Sequence, residues 1–92
     1  MKTFGWNPAK NEWLMAERSV SFEHIILQIE QDGLLDVLGH PNPEKYPGQR
    51  IFVVAVDNYA WLVPFVESEK EIFLKTATPS RKATRKYLRG SK

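Results

Sequence analysis

Apolar residues in the first third of the chain recur at helical spacing. Asn7 followed by Pro8 indicates a helix start, because Asn caps helix N-termini and Pro is favoured at the first helical position. Ser21 indicates a second start, and Gly33 a stop. We therefore predict two amphipathic helices, the first reaching about residue 18. The apolar stripe of the second helix is spaced i, i+3, i+4, i+7 and consists of Phe22, Ile25, Ile26 and Ile29.

The second half of the chain changes to the spacing of β-strands. Residues 50–57 are almost continuously apolar, as in a strand that is covered on both faces. Residues 59–66 form the next strand, in which Pro64 has no N–H for the ladder and so predicts an edge or a bulge. Side chains of residues 71–77 point alternately to the two faces of a strand, which places Lys75 on the face opposite to Ile72 and Leu74. Short strands at 3–6 and 34–38, a proline-rich loop at 40–48 and a last helix at 81–88 complete the pattern.

This order of elements predicts a single α+β domain spanning residues 1–92. Two N-terminal helices are expected to pack on one face of an antiparallel β-sheet meander, and a basic helix follows at the C-terminus. A chain of this size needs one well-filled core, because it buries roughly two-thirds of its unfolded surface. The second face of the sheet is expected to be only partly covered, which leaves an open surface beside Lys75.

Composition excludes several classes of protein. The chain has no cysteine, which excludes disulfide frameworks, thiol catalysis and cysteine zinc sites. Its two histidines are too few for a zinc site without carboxylates, and no metal or other cofactor is predicted. Apolar runs are too short to span a membrane and the N-terminus lacks the apolar stretch of a secretory signal, so we expect a cytoplasmic protein. Nucleotide-binding glycine motifs and a nucleophile elbow are also missing from the sequence.

Positive charge is concentrated at the C-terminus. The last eighteen residues hold seven cations and no acid, whereas the first 74 residues hold six cations and all eleven acids. The net charge of +2 therefore combines an acidic body with a strongly basic end. Such segregation points to an anionic partner, with nucleic acid as the first candidate. The seven cations are Lys75, Arg81, Lys82, Arg85, Lys86, Arg89 and Lys92.

A cationic cluster can cleave RNA without a metal, because RNA carries its own nucleophile in the 2′-hydroxyl. The enzyme has to place the phosphate and stabilise its developing charge, and Arg suits this task because its guanidinium donates two parallel hydrogen bonds. Neighbouring cations favour the neutral form of a lysine, which can then act as general base, and we consider Lys75 and Lys82 for this role. Tyr87, Phe73 and Trp61 are aromatic side chains on which bases could stack. The same cluster also fits a protein that only binds nucleic acid or an acidic protein.

Four segments resemble a known family. They are F-G-W-N-P-A-K-N at 4–11, V-S-F-E at 20–23, R-I-F at 50–52, and 76–83, which ends S-R-K-A. In this order and spacing they resemble the BrnT family of bacterial toxins over nearly the whole chain. The resemblance implies a RelE-like fold and a ribonuclease toxin of a type II toxin–antitoxin system, which stops translation by metal-independent RNA cleavage. It also implies a ribbon-helix-helix-type antitoxin as partner, with promoter DNA bound through the toxin–antitoxin complex.

By their positions in the matched segments, Lys10, Arg50 and Arg81 are candidate functional residues. Lys75 is a candidate only because its neighbouring cations could make it a general base. We predict that three residues flank the scissile phosphate. Arg50 would hold the phosphate, Arg81 would stabilise the transition-state charge, and Lys75 would be the base or a positioning cation. The residues predicted to bind RNA are Lys10, Lys82, Arg85 and Lys86.

The chain departs from the family pattern at residues 17–19, where Glu-Arg-Ser replaces Lys-His-Gly and removes a histidine. Arg85-Lys86 also replaces a Glu-Arg pair. These departures favour an alternative function, a non-catalytic basic binding module for nucleic acid or an acidic partner protein. Such a module would bind in a strongly salt-dependent way and would not cleave RNA. A third alternative is an α+β domain whose basic end is merely solvated.

Overall fold

The computed structural model describes residues 2–89 and confirms the α+β class. In residues 2–89, six strands form one sheet, and the helices lie on its two faces. Within this range, no helix is long and apolar enough to cross a membrane. Lys92, the last of the basic residues, lies outside the described range. The elements are β1 (Thr3–Trp6), α1 (Pro8–Arg18), α2 (Phe22–Glu30), β2 (Leu34–Gly39), β3 (Gln49–Val56), β4 (Tyr59–Glu67), β5 (Glu71–Leu74), β6 (Thr78–Pro79) and α3 (Arg81–Thr84), which continues as a π-helical turn (Arg85–Arg89).

The sheet has the strand order β1-β5-β4-β3-β2, and β6 pairs with β4. Strands β2 to β5 pair antiparallel, as predicted for the meander. The sheet as a whole is mixed, however, because β1 pairs with β5 in parallel. The prediction of a purely antiparallel sheet was therefore wrong at this edge. Parallel neighbours require a long connection, and the chain between β1 and β5 supplies one through both helices and three strands.

Both predicted helix starts are confirmed by their caps. The side-chain oxygen of Asn7 accepts hydrogen bonds from the backbone N–H groups of Ala9 (2.8 Å) and Lys10 (3.3 Å). The hydroxyl of Ser21 accepts the N–H of His24 at 3.1 Å. These bonds satisfy backbone donors that have no partner within the helix, which fixes where α1 and α2 begin.

One face of the sheet carries the main core. The two N-terminal helices contribute buried side chains to it, and the rings of Phe52 and Phe65 stack with centroids 3.9 Å apart beneath them. Asn11 is only 6% exposed and ties the helices together, because it accepts the N–H of Phe22 and donates to Glu23. The fully enclosed members of this core include Leu14, Phe22, Ile25, Val54, Val63, Phe65 and Leu74.

The opposite face is covered by the C-terminal helix, the name used below for α3 together with its π-helical turn. Buried Ala83 packs there against Val53 of β3 and Ala60 of β4, with Tyr87 at the margin. Beyond Leu62 this face is only partly covered, as predicted, because Leu38 is 37% exposed whereas Ile51 is 8% exposed. The sheet thus separates α1 and α2 from the basic helix.

Strand β5 ends at Leu74, three residues earlier than predicted. Pro64 explains the difference. Its carbonyl accepts the N–H of Lys75 at 2.8 Å, but proline has no N–H to return the bond. Phe65 pairs with Leu74 and Leu62 pairs with Thr78, so two residues of β4 lie opposite three residues of the returning chain. This is the bulge that the proline predicted.

Candidate nucleic-acid interface

The C-terminal helix is held to the sheet by a buried hydroxyl. Thr84 is 2% exposed, and its hydroxyl donates to the carbonyl of Ser80 (2.7 Å) and accepts the backbone N–H of Ala60 (2.8 Å). The hydroxyl of Ser80 caps α3 by accepting the N–H of Ala83, and the N–H of Ser80 donates to the carbonyl of Ala60. The first turn of the basic helix is therefore fixed to the start of β4.

A second tether joins the far end of the helix to the edge strand β2. The hydroxyl of Tyr87 donates to Asp36 at 2.6 Å. This hydrogen bond lowers the pKa of Asp36 from its ordinary value of 3.8, and the N–H of Val37 adds to the effect. The same bond raises the pKa of Tyr87 from 10.0. Because both shifts favour the carboxylate and the neutral phenol, the tether is intact at neutral pH.

The two tethers orient the helix so that its cations divide into two pairs. Arg81 and Arg85 line a cleft of about 290 Å³ with Tyr59 and Thr84, and we call it the arginine cleft. More of its wall is polar than apolar. A phosphate could receive paired hydrogen bonds from the two arginines there.

Lys82 and Lys86 lie on the other side of the same helix. They line a second cleft, also of about 290 Å³, which we call the lysine cleft. Its floor consists of hydrocarbon from the sheet and helix rather than polar groups, and the ammonium of Lys86 lies 5.2 Å from the ring centre of Tyr87. The remaining side chains that line it are Leu38, Leu62, Ser80 and Ala83.

Arg50 occupies a different environment. Its guanidinium pairs with Glu67 at 2.5 Å and lies 5.3 Å from the ring centre of Phe65. Glu67 also accepts a hydrogen bond from the ammonium of Lys2. The hydrogen bond from Lys2 lowers the pKa of the Glu67 carboxyl most, and the one from Arg50 lowers it further. Arg50 is therefore already neutralised by a carboxylate, whereas Arg81, Lys82, Arg85 and Lys86 form no ion pair with the part of the chain that the structure describes.

The three residues predicted to be catalytic are not brought together. Arg50 lies opposite Phe65, whereas Arg81 lies beside Tyr59, which is six residues away along β4. Six residues of strand span about 20 Å. Lys75 is exposed on the bulge, with its ammonium 5.7 Å from the ring centre of Phe73. Of the three, Arg81 shares the arginine cleft with another predicted residue, Arg85.

Lys10 lies apart from the other residues predicted to bind RNA. It belongs to α1, on the far side of the sheet from the C-terminal helix. Its ammonium is 4.2 Å from the ring centre of Trp13, and the guanidinium of Arg18 is 4.8 Å from the same ring. The four predicted RNA contacts therefore divide among α1, the arginine cleft and the lysine cleft.

Two residues that contact the C-terminal helix, Tyr59 and Asp36, were not among those predicted from the sequence. Tyr59 is the first residue after the β3–β4 turn, and Asp36 lies in an edge strand that contains a bulge. Each meets the C-terminal helix across more than twenty residues of chain. Their role depends on long-range packing, for which no local pattern gives a signal. The predicted stacking residue Trp61 packs against the main core instead of lining either cleft.

No family model, curated protein or solved structure matches the chain. Within residues 2–89, no three His, Asp or Glu side chains are grouped in a way that would hold a metal ion. The function has to be inferred from the two clefts, the charge that surrounds them and the resemblance in sequence.

Proposed function

We propose that this chain is a RelE-like ribonuclease toxin of a type II toxin–antitoxin pair, acting on RNA in the cytoplasm. A cognate ribbon-helix-helix-type antitoxin would neutralise it, and the complex would bind promoter DNA. The observation that carries the proposal is the arrangement of four exposed cations on one anchored helix. None of them forms an ion pair within residues 2–89, whereas Lys2 and Arg50 do. The four are Arg81, Lys82, Arg85 and Lys86.

Contacts between the family-like segments support the same fold proposal. Trp6 of the first segment packs on Phe22 of the second, with ring centroids 5.9 Å apart. Asn11 of the first segment bonds to Phe22 and Glu23 of the second. Ser80 of the last segment caps the basic helix. These residues have structural roles in this chain, which is a reason for them to occur together in proteins of one fold.

The proposed reaction takes place in the arginine cleft. Arg81 and Arg85 would hold the scissile phosphate and stabilise the charge that develops on its oxygens. The 2′-oxygen attacks phosphorus and the bond to the 5′-oxygen breaks, which gives a 2′,3′-cyclic phosphate and a 5′-hydroxyl end. Water accepts the proton of the 2′-hydroxyl. Tyr59 acts as general acid and donates a proton to the departing 5′-oxygen. Arg50 and Lys75 lie outside this cleft and enter the proposal only as contacts for flanking nucleotides.

A second candidate function is the non-catalytic binding module. The separation of Arg50 from Arg81 favours it, because the predicted catalytic set is not assembled. Such a module would hold RNA or another polyanion with the same cations. Its affinity would fall steeply with salt, and RNA would remain intact.

Expression of the chain without its neighbouring gene distinguishes the two functions. The toxin proposal predicts growth arrest, and it predicts that the purified chain cleaves RNA in the presence of a chelator. Arg81→Ala should lower the cleavage rate about 100-fold, as expected for the loss of a donor to the developing charge. Tyr59→Phe should slow cleavage while RNA binding is retained. Lys70→Ala, which removes an exposed cation outside both clefts, is the matched control.

Arg50→Ala adds a separate test of the site. Near-normal cleavage by this variant supports the arginine cleft as the reaction centre. A loss as large as that of Arg81→Ala would instead support the set predicted from sequence. Normal growth together with intact RNA would reject the toxin proposal, and salt-sensitive RNA binding without cleavage would establish the binding module.

A further inference from the structure

The lysine cleft differs from the arginine cleft in chemistry, although both flank one helix. Leu38 and Leu62 form its floor, and Lys82 and Lys86 stand at its rim. Leu38 is 37% exposed and belongs to the exposed large apolar residues of the described chain. An apolar floor with a cationic rim fits a ligand that has an apolar stripe bordered by negative charge.

Apolar residues of three neighbouring strands continue the floor of the cleft. Leu38, Ile51 and Pro64 lie directly opposite one another on three neighbouring strands, and their side chains point to the same face as Leu62. Three strands span about 10 Å, which is close to the diameter of an α-helix with its side chains. Ile51 is 8% exposed and Pro64 is half-buried, so Leu38 and Leu62 form most of the accessible apolar strip. The width of this strip suits one amphipathic segment lying beside the C-terminal helix.

RNA is a poorer occupant of this surface than a peptide. A phosphate backbone placed over Leu38 and Leu62 would lose hydration without gaining hydrogen bonds. The phenol of Tyr87 is engaged by Asp36 and its ring is approached by Lys86, so it does not offer a free stacking platform. Carboxylates at the ends of flexible side chains can reach the two ammonium groups while aliphatic side chains cover the floor.

We propose that the lysine cleft docks an acidic, amphipathic segment of a partner protein. The inference rests on the proposed function only for the identity of that partner as the antitoxin. Arg81 and Lys82 are adjacent in sequence, so a negative segment bound at Lys82 and Lys86 lowers the positive potential at the arginine cleft as well. Docking on one side of the helix thereby weakens RNA binding on the other side without occupying it.

A synthetic peptide tests the docking directly on the full chain. The probe is a fourteen-residue helix-forming peptide with leucines at i, i+3, i+4, i+7 and glutamates beside them, and its control replaces every glutamate by glutamine. Binding is followed by amide chemical shifts and by calorimetry. The acidic peptide should bind with a Kd below about 1 mM and should shift the amides of Leu38, Lys82 and Tyr87. The glutamine peptide should bind at least about tenfold more weakly.

Two double variants of equal net charge distinguish the contribution of the cleft lysines to peptide binding from the effect of net charge. Lys82→Glu combined with Lys86→Glu should weaken peptide binding about tenfold or more. Lys45→Glu combined with Lys70→Glu changes the net charge equally at exposed positions outside both clefts and should leave the affinity within about twofold. Circular dichroism confirms that each variant is folded.

The outcomes are distinct from those of the cleavage test. No saturable binding of the acidic peptide, or equal losses in the two double variants, overturns the proposal. It is also overturned if an oligoribonucleotide, and not the peptide, shifts the amides of the lysine cleft. Peptide docking by a chain that cleaves no RNA supports the cleft and rejects only the toxin function.

Discussion

Thr84→Val tests whether one buried hydroxyl holds the basic helix to the sheet. Valine keeps the shape of threonine but removes the acceptor of the Ala60 N–H and the donor to the Ser80 carbonyl. That carbonyl retains the N–H of residue 84 at 3.0 Å, so the uncompensated group is the N–H of Ala60, a residue with no exposed surface. Leaving a buried donor without a partner costs about 1–3 kcal/mol. A loss of 2 kcal/mol lowers the ratio of folded to unfolded chain by roughly thirtyfold.

Urea unfolding of Thr84→Val and Thr84→Ser measures the contribution of the hydroxyl. Serine keeps the hydroxyl and loses one methyl group, which costs about 0.8 kcal/mol. The valine variant should therefore be the less stable of the two, with an unchanged dependence on urea concentration. Hydrogen exchange at Ala60 should accelerate in Thr84→Val and not in Thr84→Ser. A valine variant as stable as the serine variant would show that the hydrogen bonds do not anchor the helix.

Three further changes test other parts of the fold. Asn11→Ala should lower the free energy of unfolding by about 1–3 kcal/mol, because the N–H of Phe22 loses its acceptor. Urea unfolding measures this loss, and an unchanged stability would contradict the role of Asn11 in joining α1 to α2. The carboxylate of Asp36 has a lowered pKa, so it stabilises the folded chain above its ordinary pKa of 3.8, and this contribution is lost as pH falls through the lowered value. Asp36→Asn should flatten the acid side of a stability–pH curve, and an unchanged curve would refute the tether to Tyr87. Gly33→Ala should destabilise by about 0.5–3 kcal/mol in thermal unfolding, since its Cβ would lie 2.6 Å from a carbonyl of α2.

The sequence was most informative where the physics is local. Asn7 and Ser21 cap helices because their side chains reach backbone groups two or three residues away, so both starts could be predicted. Pro64 marked the bulge because the missing N–H belongs to the residue itself. In each case the residue that carries the signal also makes the decisive contact.

The parallel edge strand and the separation of the predicted catalytic residues could not be obtained in this way. The direction of β1 is set by its pairing with β5, more than sixty residues further along the chain. Arg50 and Arg81 were both predicted to flank the scissile phosphate, but Arg50 meets Glu67 across the β3–β4 hairpin and Arg81 lies beside Tyr59 instead. Pairings of this kind join residues far apart in the chain, and periodicity carries no information about them.

The division of the cations into two pairs could be predicted in part from the sequence. On a helix, residues 81 and 85 share one stripe and residues 82 and 86 share another, about 100° apart. Ala83, Thr84 and Tyr87 face the sheet, so the two stripes flank the buried one on opposite sides. Spacing alone could have separated the arginines from the lysines. Only the packing of the helix shows that one pair faces the β3–β4 turn and the other the apolar edge of the sheet. The two pairs carry the same charge, but the arginines line a polar cleft and the lysines an apolar one. This difference is the reason to assign RNA to the arginines and an acidic peptide segment to the lysines.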